Sequence, residues 1–122
     1  MKLETMIEQT DRAGDFYLHF RRQDGKGQTY LVGTRELLGN PYIYKRMEDK
    51  KDPCGLPFSV LKRITSSTEN AFRAKALEKL AKEAEAKGNV LVFSWSSDRF
   101  RVIPLTSIIK VHPLSNVLRN GN

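Results

Sequence analysis

The chain has 122 residues, 39% of them hydrophobic and 29% charged, which excludes a disordered polymer and leaves room for one domain with its own core. No apolar run approaches the ~20 residues of a membrane helix, and the single cysteine, Cys54, excludes an internal disulfide. The formal charge of +7 favours a partner rich in negative charge: nucleic acid, an anionic surface or an acidic protein.

Residues 1–15 lack the apolar stretch of a signal peptide. With the lone cysteine, this predicts a cytoplasmic protein with no membrane partner. Leu3, Met6 and Ile7 stand at helical spacing, so a short helix is read near the start. Residues 13–15, Ala-Gly-Asp, read as a turn. Residues 16–22, FYLHFRR, alternate with the period of a half-buried strand. Phe16, Leu18 and Phe20 point one way; Tyr17, His19 and Arg21 point the other. The turn Asp24-Gly25-Lys26-Gly27 leads into a second strand, QTYLVG, and the two predict an antiparallel hairpin.

Thr34 is read as the cap of a short helical turn over residues 35–38, closed by Gly39. Asn40-Pro41 marks a break, because the residue before proline avoids the α region. Residues 42–47, YIYKRM, then read as a third strand with Tyr42, Tyr44 and Arg46 on one side and Lys45 on the other. Residues 48–57 hold charges, two prolines and a glycine, the composition of a surface loop. Residues 58–65, FSVLKRIT, suit a helix or a strand, and a short helix is preferred.

The surest element is the helix from Ser67 to Lys87. Ser66 and Glu69 stand at capping-box spacing before it, and Gly88 stands where a left-handed residue ends helices. Ala74, Leu77, Leu80, Ala81 and Ala84 form a narrow apolar stripe. Phe72 lies off the stripe. The helix carries five basic and four acidic residues, a nearly balanced, solvated face that argues against phosphate contact. Residues 89–96, NVLVFSWS, are apolar on both faces through Phe93, as in a strand covered on two sides. Residues 99–105 make the next strand, ended or placed at an edge by Pro104. Residues 107–112 make the last one. Candidates for flexible ends are 1–14 and 114–122.

This order predicts a single α+β domain over 1–122, a mainly antiparallel sheet of about five to six strands packed on one long helix. Chemistry-bearing motifs are few. There is no C-x-x-C and no His pair at ligand spacing, and no Ser or phosphate-loop signature, so no metal, cofactor or catalytic residue is read. Cys54 sits in a loop beside Lys50 and Lys51, which would lower an exposed thiol's pKa. One cysteine and a distant histidine do not make a dyad. Gly25 and Gly27 serve a turn. Glu48-Asp49-Lys50 has the E-x-K form with which some nucleases hold Mg²⁺, if Asp24 converges on it.

The constellation given most weight is cations interleaved with aromatics. It comprises Tyr17, His19, Arg21, Arg22, Lys26, Tyr42, Tyr44, Lys45, Arg46, Arg99 and Arg101. Rings of this kind stack on bases while the cations track phosphates. The expected function is a non-catalytic, nucleic-acid-binding accessory or regulatory protein, for DNA or RNA, using the sheet face opposite the helix. The alternative is a small inhibitor or adaptor that binds a larger nucleic-acid-handling protein, because Tyr, Trp and Arg are also interface hot spots. A metal-dependent nuclease comes third.

Overall fold

The computed structural model describes residues 1–11, 14–49, 54–56 and 70–114. In chain order these form α1 (Leu3–Thr10), β1 (Asp15–Arg21), β2 (Gln28–Thr34), α2 (Pro41–Arg46), α3 (Asn70–Ala86), β3 (Asn89–Ser94), β4 (Arg99–Pro104), a 3₁₀ turn (Leu105–Ser107) and β5 (Ile108–Pro113). All the pairings are antiparallel and the strand order is β4-β3-β2-β1-β5. The fold is the expected small α+β domain, an antiparallel sheet packed on the long helix.

The sheet curls. β4 and β5 lie at opposite edges, which in a flat sheet would be roughly 19 Å apart at ~4.8 Å per strand gap. The turn Leu105–Ser107 joins them directly, and the four links from Pro104 to Ile108 reach about 14 Å at most. The bend falls between β2 and β3, which pair only at Gly33↔Ser94 and Thr34↔Phe93. Gly33 suits this seam: a Cβ there would sit 2.6 Å from the Phe93 carbonyl oxygen. Two halves result, β3–β4 and β1–β2–β5, folded toward each other.

Between them lies one core cluster. Phe16, Leu18 and Phe20 from β1, Leu31 from β2 and Val111 from β5 meet Val90, Val92 and Ile103 from the other half. Met6 of α1, fully buried, packs into the same cluster. The Met1 backbone nitrogen donates to Leu105 O at 2.9 Å, tying this end down. A second cluster lies on the outer face of β3–β4, where Leu91, Phe93 and Phe100 meet Leu77 and Ala84 of α3 and Ile43, Tyr44 and Met47 around α2. β3 is therefore covered on both faces, as its continuous apolar run requires. The α3 stripe packs as the spacing predicts, with Ala74, Leu80 and Ala81 partly buried against this cluster and Phe72 exposed. Gly88 takes φ +79° just past the helix end.

Two local expectations fail. Residues 42–47 are not a strand: Pro41–Arg46 is helical. Asn40 is its N-cap, its Oδ1 accepting from Tyr42 N at 3.0 Å and Ile43 N at 3.3 Å, and Pro41 takes the first helical position, where no amide is needed. The proline that bars an α conformation at residue 40 thus starts a helix at residue 41. Residues 35–38 do not form a helical turn either. Thr34 Oγ1 does accept from Glu36 N at 2.9 Å, but the chain runs on irregularly with Leu37 buried before the Gly39 turn. The capping box Ser66/Glu69, the 58–65 segment, and most of the 114–122 end lie outside the described residues.

Candidate functional site

The outer faces of the two halves differ. On β3–β4 that face lies under α2 and α3. On β1–β2–β5 the Trp95 indole reaches over the Asp15–Thr34 end, while Tyr30, Lys110 and His112 are exposed. Antiparallel register sets Tyr17 opposite Val32 and His112, and His19 opposite Tyr30 and Lys110. Residues opposite one another share a face, so four rings meet here. His19 stacks on Tyr30 with centroids 4.3 Å apart and planes 13° from parallel. Tyr17 lies 5.1 Å from Tyr30 and 6.4 Å from His112. The His19 Nε2 hydrogen-bonds Gln28 Oε1 at 2.8 Å, which fixes the ring's orientation. Tyr30 is 53% exposed, whereas Tyr17 and His19 are half-buried.

Cations border the rings. Lys110 is exposed beside His19. Arg21, exposed, follows His19 on the same face and donates one N–H to Thr106 O at 3.2 Å; a guanidinium has five such donors. Arg22 and Lys26 lie just beyond, at the hairpin turn, both exposed. The acids nearby are occupied. Asp15 accepts from the Trp95 indole at 3.0 Å. Asp24 accepts from Lys26 N at 2.9 Å and from Arg22 at 2.6 Å. The Lys26 amide, and after it the Arg22 guanidinium, hold the Asp24 carboxyl below its ordinary range. That contribution to the turn exists above the usual carboxylate pKa and fades as pH falls through the lowered value.

The structure therefore gathers Tyr17, His19 and Arg21, with Arg22 and Lys26 at the end of the same hairpin, and adds Tyr30, Lys110 and His112, which sequence reading did not place there. It does not bring the others to this patch. Tyr44 is buried, its phenol oxygen accepting from Gly39 N at 2.6 Å. Arg46 is buried as well. It donates through Nε and Nη2 to Asp98 O at 3.1 and 2.8 Å and meets Asp98 Oδ2 at 3.2 Å. Asp98 is the left-handed residue (φ 55°) of the β3–β4 turn, so Arg46 fastens α2 to that turn. Tyr42, half-exposed, donates its hydroxyl to Asp98 Oδ1 at 2.6 Å, a bond that raises its pKa. Its ring lies 6.0 Å from Trp95 and 6.3 Å from Phe93, so it packs as part of the α2 cover. Lys45 is exposed on α2. Arg99 is exposed on β4, and Arg101 lies over the Phe20 ring at 5.9 Å, on the inner side of the curl. The Tyr17 face is also not opposite the long helix. It is the continuation, past the seam, of the face on which α3 packs.

The remaining chemical candidates resolve locally. Cys54 is fully buried in the core beneath α2, not on an exposed loop, and burial pushes its thiol pKa up. Its carbonyl accepts from Phe100 N at 2.6 Å, which covers part of the β4 edge. Lys50 and Lys51 lie outside the described residues. Glu48 pairs with the buried guanidinium of Arg73, and Asp49 with Arg46 at 3.6 Å, while Asp24 belongs to the hairpin turn. Among the described residues no three His, Cys, Asp or Glu side chains group to hold a metal, and no helix is long and apolar enough to cross a membrane. Arg73 is a residue that sequence reading passed over. Its spacing of four from Leu77 and eleven from Ala84 puts it on the apolar stripe and was the available signal for its burial.

No protein-family model matches the chain, and neither does any curated protein or solved structure.

Proposed function

We propose that this is a non-catalytic nucleic-acid-binding protein, accessory or regulatory in role, that takes the phosphate backbone across the β1–β2–β5 face. One arrangement supports this reading above the rest: an exposed cluster of rings bordered by Arg21 and Lys110, with the neighbouring carboxylates already engaged by Trp95 and Arg22. Cations held beside an aromatic surface, free of competing carboxylates, suit a polyanion that also offers rings. The chain's surplus of +7 adds long-range attraction to that local chemistry.

The test is a salt titration. Each phosphate neutralised releases counterions, so log K falls linearly with log salt, by about 0.7 per contact on a single strand and 0.9 on a duplex. Arg21→Ala and Lys110→Ala should each weaken binding and reduce that slope by roughly one contact's worth. No binding to DNA or RNA at low salt would remove this function. The same rings would then serve a protein partner, where the salt slope is absent and Tyr30 acts as a hot spot.

A further inference from the structure

We infer that the β1–β2–β5 face takes unpaired bases, stacking them on the Tyr30–His19 pair and its neighbours, so that the preferred ligand is a single strand. This rests on the nucleic-acid reading above and narrows it. The geometry that points there is the array of rings. In a duplex the base faces are covered by neighbouring bases, and protein rings outside the grooves reach only phosphate and sugar. A ring surface then adds nothing to affinity. In a single strand every base has a free face, and each base stacked on an aromatic side chain strengthens binding without regard to sequence.

The array is held ready for this. Among the described residues Tyr30 is the most exposed of the large hydrophobic side chains at 53%, yet it does not swing freely, because His19 stacks on it at 4.3 Å and Tyr17 leans on it at 5.1 Å. His19 is in turn held by Gln28. Rings fixed before binding lose little side-chain entropy when a base arrives. Core packing alone does not account for the array, since the buried side of β1 is filled by Phe16, Leu18 and Phe20. The charges beside the rings match a strand's phosphates, with Arg21 and Lys110 bordering them and Lys26 further along the hairpin, where Arg22 pairs with Asp24.

The experiment uses fluorescein-labelled oligonucleotides of about 15 nucleotides and the full chain, read by anisotropy at low and near-physiological salt. Four probes are compared: single-stranded DNA, single-stranded RNA of the same sequence, the DNA annealed to its complement, and a fully abasic strand with the same phosphates. Either single strand should bind at least tenfold more tightly than the duplex or the abasic strand. Tyr30→Leu should lose about 5- to 150-fold on the single strands, the equivalent of one stacked base, and Tyr30→Phe should retain binding. The abasic strand should not distinguish Tyr30→Leu from the wild type. Emission of the single Trp95, which packs on Phe93 at 5.0 Å, confirms that each variant is folded. Equal affinity for all four probes, with Tyr30→Leu unchanged, would overturn the stacking inference and leave backbone binding intact. Failure of every probe to bind at low salt would overturn both. The DNA and RNA arms decide which single strand is the better ligand.

Discussion

The two halves of the sheet are built from strands of similar length, yet in one β3 is buried on both faces, while the other is buried chiefly on one. The difference lies in the outward residues. On β3 they are Leu91 and Phe93, and on β4 Phe100, which require a cover and receive α2 and α3. On β1 and β2 they are mostly residues with an apolar body and a polar end, Tyr17, His19, Arg21, Gln28 and Tyr30, with Val32 among them. The same architecture thus yields a scaffold half and a surface half, and the seam at Gly33 separates them. Mutations on the two sides should fall into two classes, loss of stability on one and loss of binding on the other.

The largest effect is expected at the scaffold. Phe93 is fully buried, with Trp95 and Phe100 each 5.0 Å away and edge-on. Phe93→Ala should cost about 3–5 kcal/mol in urea denaturation, enough to unfold much of a marginally stable domain. Tyr30→Leu, on the other half, should leave the midpoint nearly unmoved.

Next is the fastening of α2. Arg46→Met leaves Asp98 in its left-handed conformation without the guanidinium that meets both its carbonyl and its carboxylate. A loss of about 2–3 kcal/mol is expected, since the bonds are charge-assisted and the arginine side is buried. Binding at the other half should survive at any denaturant level where the protein stays folded. The Tyr42–Asp98 bond gives this joint a pH signature. Because the bond raises the Tyr42 pKa, its contribution is full below the ordinary tyrosine pKa and fades as pH rises through the raised value. Tyr42→Phe should abolish that part of the alkaline fall in stability, measured by denaturation from pH 8 to 11.

These two halves were unequally legible in the amino-acid sequence. The β1–β2 hairpin, the long helix and β3 announce themselves through periods of 2 and 3.6 and through a doubly apolar run. The joint at α2 did not. YIYKRM is rich in strand-favouring residues, and in six residues their preference outweighs a cap. What decides it is tertiary: Ile43, Tyr44 and Met47 bury together only on a helix lying over Phe93 and Phe100. Asn40-Pro41 was the local signal, and it reads equally as a stop or a start. The surface patch was half legible. Alternation put Tyr17, His19 and Arg21 on one face, but which face stays open, and that Tyr30 and His112 join it, depends on the β1–β2 and β1–β5 registers. Register between distant strands has no local code. Nor does the burial of Cys54, which follows from a backbone contact with Phe100 on a strand far along the chain.

On the surface half the expected effects pass from stability to affinity. Lys110→Ala removes a cation beside His19 without touching either core, so its stability change should stay within about 0.5 kcal/mol. Its affinity loss should shrink as salt rises, whereas the loss from Tyr30→Leu should persist, because stacking is not screened. Measuring both variants at two salt concentrations separates the ionic from the aromatic part of the face. Identical salt behaviour for the two would merge them into one electrostatic patch.

The smallest effect should come from the most heavily charged surface. Lys75, Lys79 and Lys82 are exposed on α3 and make up much of its outer face. Reversing all three to Glu cancels nearly all of the +7 surplus. If net charge alone drew the ligand in, binding would collapse. If the β1–β2–β5 face does the work, those charges sit on an element that covers the other half, and at physiological salt the screening length of about 8 Å mutes them. The expected change in affinity is less than about threefold at that salt and somewhat more at low salt, through the rate of encounter. The cost in stability should be about 0.5 kcal/mol, chiefly because Lys82 meets Glu78 at 3.2 Å one turn away and the reversal makes that a like-charge pair. A loss beyond tenfold at physiological salt, with unchanged Trp95 emission, would move the binding surface from the strands onto the helix.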